Sequence, residues 1–165
     1  SKLGATTMDR PEWVAVNPNK VEAYCALTNN KNHAVKPNAG GDTTPASRPN
    51  PRPKNTYGQI VRWNPMNGYY TSVDFEWDPF IMACNPNIHK DEYAVSENVT
   101  AENMFNSPDG LIIDETGLVW IQTDGNYSNE GDFDGMGNNQ MLCADSERRI
   151  CAVPICDFEC GAGLC

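Results

Sequence analysis

Long apolar runs are missing from this chain of 165 residues. No stretch approaches the roughly 18 consecutive apolar residues that a membrane-crossing helix needs, so the sequence predicts no transmembrane helix. Histidine is scarce, with 2 in the whole chain, which leaves little from which to build a histidine zinc site or a nucleophile–histidine triad. Positive charge is also short. Against 22 Asp and Glu stand 12 Lys and Arg, a net charge of −10. A surface of that sign repels nucleic acid and anionic membrane and suits hard cations, which take carboxylate oxygens. A sustained helical period is absent. So are a G-x-S-x-G elbow, a P-loop and a G-x-G-x-x-G turn. What remains is metal-assisted chemistry or no chemistry.

Turn formers are plentiful: 13 Gly and 12 Pro, with many Asn, a mix that suits short strands joined by turns. The few cations are bunched. Lys31, Lys36, Arg48, Arg52, Lys54 and Arg62 fall in one stretch opposed only by Asp42, whereas Lys90 is the sole cation from Asp74 to Glu147. The basic strip beside an acidic half reads either as a solvated loop or as a seat for an anion next to metals. The 7 cysteines point to disulfides and export, and their odd number leaves at least one outside an internal pair. Cys25 and Cys143 sit in strand-like runs and read as core. Cys151, Cys156, Cys160 and Cys165 in the tail lack the close Cys-x-x-Cys spacing of a zinc site. Ser1-Lys2-Leu3-Gly4 runs straight into polar sequence and does not read as a signal peptide.

The chain repeats itself. Residues 11–28 and residues 108–124 both run proline, acid, a short apolar strand, a polar turn, then an aromatic-bearing strand ending in Thr. Each pattern predicts a β-hairpin. Two further strands are expected after each: Gly58–Trp63 and Tyr69–Phe75 around the Asn67-Gly68 turn, and Gln140–Ala144 and Arg149–Val153 around 145–148. Four-stranded antiparallel units occurring twice predict an all-β fold of two β-propeller blades. Blade one covers about 11–76 with a loop insertion at 31–56, a second insertion covers 85–105, blade two covers about 108–153, and a Cys-rich tail covers 150–165. Two blades do not close a propeller, which typically takes about 4–8. The expected partner is therefore the rest of a propeller or another chain.

Oxygen ligands crowd the run Asp124-Gly-Asn-Tyr-Ser-Asn-Glu-Gly-Asp132-Phe-Asp134-Gly-Met-Gly-Asn138-Asn139. It reads either as a calcium-wrapping loop or as an Asn/Asp/Gly surface turn. Glu12 and Asp109 hold the same place in the two repeats, at the start of a strand. They read either as acids sharing a metal at the propeller channel or as ordinary turn residues. His33 and His89 fall in polar insertions and read as exposed loop histidines. Trp13, Trp63, Trp77 and Trp120 read as blade-packing core.

Several segments carry a resemblance when taken in order. They are Leu3-Gly-Ala-Thr-Thr-Met-Asp-Arg-Pro-Glu-Trp13, Leu27-Thr-Asn-Asn30, Asn50-Pro-Arg52 with Asn55 and Tyr57-Gly-Gln-Ile60, Phe105-Asn-Ser-Pro-Asp-Gly-Leu111, Trp120-Ile-Gln-Thr-Asp-Gly125 and Gly137-Asn-Asn-Gln-Met141. Together they resemble the C-terminal part of PhoX-type alkaline phosphatases over most of residues 3–149. The resemblance implies a periplasmic or secreted propeller enzyme that hydrolyses phosphomonoesters with a buried cluster of calcium (Ca2+) and iron (Fe3+). It makes Glu12 the first metal ligand, with Asp109, Asp124 and Asn139 as further ones, and sets Arg10 and Arg52 toward the phosphate. Arg10 equally reads as a support for Glu12. The family's upstream acids and cysteine have no counterpart here, and the match fails after Arg149, where Asp157 or Glu159 could stand in for a family acid. A non-catalytic extracellular calcium-binding propeller module, or a lactonase-like propeller, is the competing expectation.

Overall fold

The computed structural model describes residues 4–5, 7–90, 96–126, 128–146 and 150–153, the last three of these by backbone alone. Eight strands form two antiparallel sheets. β1 (Pro11–Val16), β2 (Ala23–Leu27), β3 (Gln59–Pro65) and β4 (Phe75–Met82) make the first, in sequential order. β5 (Pro108–Ile113), β6 (Val119–Thr123), β7 (Met141–Ala144) and β8 (Ile150–Val153) make the second, again in sequential order. Sequential four-stranded meanders are propeller blades, and the all-β expectation holds. Among the described residues no helix is long and apolar enough to cross a membrane.

The central strand of the first blade shows why the sheets stack. Side chains along a strand alternate between faces. Tyr24 and Ala26 of β2 face the core shared with the second blade, with Ile60, Phe80, Leu111, Val119, Ile121 and Leu142. Cys25 and Leu27 point the other way, onto Val61 and Trp63. Buried on both faces, the segment reads as a continuous apolar run rather than an alternation. The second insertion also feeds the core: Val99, Met104 and Phe105 are buried. Polar side chains stitch the blades together. The Arg62 guanidinium takes both oxygens of Asp78, at 3.0 and 2.9 Å, and reaches across to the carbonyl of Ser146 at 3.1 Å. Asn29 donates to Ser107 Oγ at 2.6 Å, and the Tyr57 hydroxyl donates to the carbonyl of Asp132 at 2.7 Å.

Two expectations need correction. The fourth strand lies at Phe75–Met82, not at Tyr69–Phe75. Asn67 and Gly68 do take positive φ, 64° and 67°. The chain then runs through a wide loop before Asp74 closes it by accepting from the N–H of Met66 at 2.9 Å. Trp13 is 55% exposed on β1 and is not core. Trp63 and Trp77 are half-buried and, with Met8, Pro49, Val61 and Phe75, line an apolar groove of about 320 Å³ on the face of blade one turned away from blade two. Cys156, Cys160, Cys165, Asp157, Glu159 and Arg149 lie outside the described residues, as does Tyr127.

Candidate active site

Proline begins both inner strands. It has no N–H to leave unpaired, and its fixed φ suits the first residue of a strand. In the first hairpin Pro11 pairs with Leu27 but the next pair is Val14 with Cys25, so two residues, Glu12 and Trp13, stand opposite one, Ala26. In the second, Pro108 pairs with Thr123 and the next pair is Leu111 with Ile121. The same bulge therefore occurs twice, spanning Glu12-Trp13 and Asp109-Gly110. A bulge bends the strand and re-aims a side chain, and in each hairpin the re-aimed segment begins with the acid.

These acids are neighbours in space, because β1 and β5 pack against one another. The Asp109 carboxyl is held above its ordinary value, first by burial and then by the negative charges of Glu12 and Asp124, with Arg10 offsetting part of the rise. Arg10 pairs with Glu12 at 3.2 Å and keeps most of its side chain in solvent. The structure therefore brings together Arg10, Glu12, Asp109 and Asp124, from both blades.

The backbone under this group is tightly specified. Ser107, just ahead of Pro108, sits at φ 53°, a conformation that costs energy in a residue with a Cβ. It is held there by its N–H on the carbonyl of Tyr57 at 2.6 Å and by its own carbonyl, which accepts from Asp124 N–H at 3.0 Å. Beside Asp124, Gly125 lets the Asn106 side chain come close: a Cβ there would lie 1.9 Å from Asn106 Oδ1.

Asn139 lies next to the cluster, but its side-chain oxygen accepts the N–H of Gly125 at 2.8 Å. Three more asparagines of the 124–139 run behave likewise: Asn126 accepts from Ser128, Asn129 from Gly137, and Asn138 from Asn139. These side-chain amide oxygens are engaged by the loop's own backbone N–H groups, the pattern of an Asx-rich turn. Arg52 does not share the exposed face with Arg10. It is 6% exposed, and its guanidinium donates to the carbonyl of Ala83 at 2.6 Å and to that of Gly58.

His33 departs most from the sequence reading. It is wholly buried, and so is Asp9, with Nδ1 and Oδ1 at 3.0 Å. No local sequence pattern links the two, because Asn50 lies 17 positions from His33 and 41 from Asp9, and Asn55 lies 46 from Asp9.

The carboxylates fit a hard cation chemically. They are all-oxygen donors, and their mutual repulsion is what a bound cation would relieve. Among the described residues no three His, Cys, Asp or Glu side chains converge closely enough to hold a metal ion.

With this geometry in place, the chain can be set against known proteins. The family model "Alkaline phosphatase PhoX" matches residues 1–155. A solved structure of Pseudomonas fluorescens PhoX in complex with vanadate, a transition state analogue, is 51% identical, with a TM-score of 0.83 over 91% of this chain and 25% of that one. The chain thus spans about a quarter of the length of the structure it matches. No curated protein matches it.

Proposed function

The chain belongs to the PhoX alkaline phosphatase family, and from that premise we propose that it is a segment of a metal-dependent phosphomonoesterase that works in the periplasm or outside the cell. The observation carrying this reading is the pairing of Glu12 and Asp109 at equivalent bulges of adjacent blades, near enough that Glu12 raises the Asp109 carboxyl. Glu12, Asp109 and Asp124 would hold calcium and iron together with acids from the rest of the propeller. The bound metals would neutralise phosphate oxygens and supply an activated oxygen nucleophile.

Arg10 is the residue of this chain best suited to the substrate. A guanidinium presents a planar fork of donors that matches two phosphate oxygens. Arg10 has one arm on Glu12 and the remainder in solvent, so it can stay paired to Glu12 while its free edge binds the phosphoryl group. Its other effect is to draw Glu12 into one orientation. Asn139 serves by fixing the backbone beside Asp124 through Gly125, and Arg52 by supporting the strand ends from beneath.

The alternative reading is a non-catalytic calcium-binding propeller module. The two separate on one experiment with the full-length protein. Phosphomonoester turnover that disappears on chelation and returns with metal supports the enzyme, while calcium binding without turnover supports the module.

A further inference from the structure

The 31–56 insertion looks from sequence like a bare polar loop, yet it drives a wholly buried polar cluster into the start of the site strand. Asp9, His33 and Asn50 are 0% exposed and Asn55 is 1% exposed. Asp9 Oδ2 accepts from Asn55 Nδ2 at 2.6 Å and from the Asn50 side-chain amide, while the Asp9 N–H donates to Asn50 Oδ1 at 2.9 Å. His33 Nε2 faces the Asn50 carbonyl at 3.1 Å. A carbonyl only accepts, so Nε2 carries a hydrogen. Nδ1 lies 3.0 Å from Asp9 Oδ1, and neither atom has a hydrogen-bond partner other than this pair.

Asp9 is the residue before Arg10. Its N–H is fixed by Asn50, and the next carbonyl, that of Arg10, accepts from Thr28 N–H at 3.0 Å. The backbone is thus pinned on both sides of the point from which Arg10 leaves it. A buried polar cluster is a poor source of stability compared with apolar packing of the same volume. What it supplies is a single geometry.

We propose that Asp9 and His33 are positioning residues for the phosphate site: their buried pair locks the 31–56 insertion onto the backbone that aims Arg10. This rests on the reading of Arg10 as a phosphate-binding residue. Positioning of this kind matters because a reacting group displaced by about 1 Å can lose about a hundredfold in rate.

The test uses the full-length, metal-loaded protein and inorganic phosphate, with binding followed by calorimetry and by competition against a phosphomonoester. His33→Gln keeps a hydrogen-bonding side chain but removes the imidazole that faces Asp9. It should weaken phosphate about tenfold, as Arg10→Ala does, and the double variant should bind no more weakly than Arg10→Ala alone, because both act through one contact. A His33→Gln protein that melts lower yet binds phosphate as the wild type does would overturn the proposal, and so would additive losses in the double variant. Arg10→Ala with unchanged phosphate binding would sink the reading of Arg10 itself, which keeps the two failures distinct. Should His33→Gln not fold, Asn55→Ser removes one donor from Asp9 and must give the same non-additive loss, in smaller measure, for the proposal to stand.

Discussion

Glu12 and Asp109 occupy the same position in the first hairpins of the two sheets, each directly after the proline that opens its strand and each inside the bulge that follows. The duplication puts two negative charges at the junction of the blades, with Asp124 as a third. An arrangement of like charges costs stability unless something positive is bound there, and Arg10 offsets only part of it.

The first prediction concerns Asp109 without metal. Its carboxyl lies above the ordinary 3.8 in the folded chain. Between the unfolded and folded values the native state holds more protons than the unfolded one, so stability falls as pH rises through that window. Asp109→Asn should therefore raise the melting temperature of metal-free protein at neutral pH, and the advantage should vanish below pH 3.8. With metal bound the sign reverses: the variant gains less in melting temperature from added metal. Thermal melts across pH, with and without metal, check both halves.

Asp114 gives the opposite pH signature. Hydrogen bonds from Thr116 and Trp120 depress its carboxyl to about 2, and Trp120 Nε1 donates to Oδ2 at 2.8 Å. The stability it contributes is complete above the unfolded value of 3.8 and is lost as pH falls through about 2. Asp114→Ala should lower the unfolding midpoint at neutral pH, and the difference from wild type should shrink steadily across that acid range. A difference that persists undiminished at the acid end would contradict the assignment.

Arg52 and Arg10 should behave differently on substitution. Arg52→Met removes the guanidinium from the Ala83 carbonyl, while the Gly58 carbonyl keeps the N–H of Ala83, at about 1–3 kcal/mol for a buried group left unpaired. Denaturant unfolding should show that loss, while phosphate affinity measured well below the melting temperature stays near wild type. A large loss of affinity with unchanged stability would place Arg52 at the substrate instead.

Much of this was legible in the sequence because it depends on local chemistry. Pro11-Glu12 and Pro108-Asp109 announce strands that start with an acid, and the match between them announces two copies of one unit. The position of β4 was not legible. Pro79 argues against a strand, and only the place of β4 at the sheet edge, beside a register shift between Ile60 and Val61, accommodates it. His33 reads from sequence as an exposed loop residue because its partners, Asp9 and Asn50, come together only once the insertion has folded back. The resemblance sets Arg52 toward the phosphate, and the carbonyls of Ala83 and Gly58 that it serves are visible only in the fold. In 124–139 the sequence displays the oxygens but not which of them backbone amides use, as they do those of Asn126, Asn129 and Asn139.

The most direct test of the central claim is the metal content and phosphomonoester turnover of the full-length protein carrying Glu12→Gln, measured on the same sample as wild type. Wild type should bind iron and calcium and turn over, and the variant should lose metal and turnover together while remaining folded. A variant with wild-type metal content and activity would remove Glu12 from the site and contradict the account.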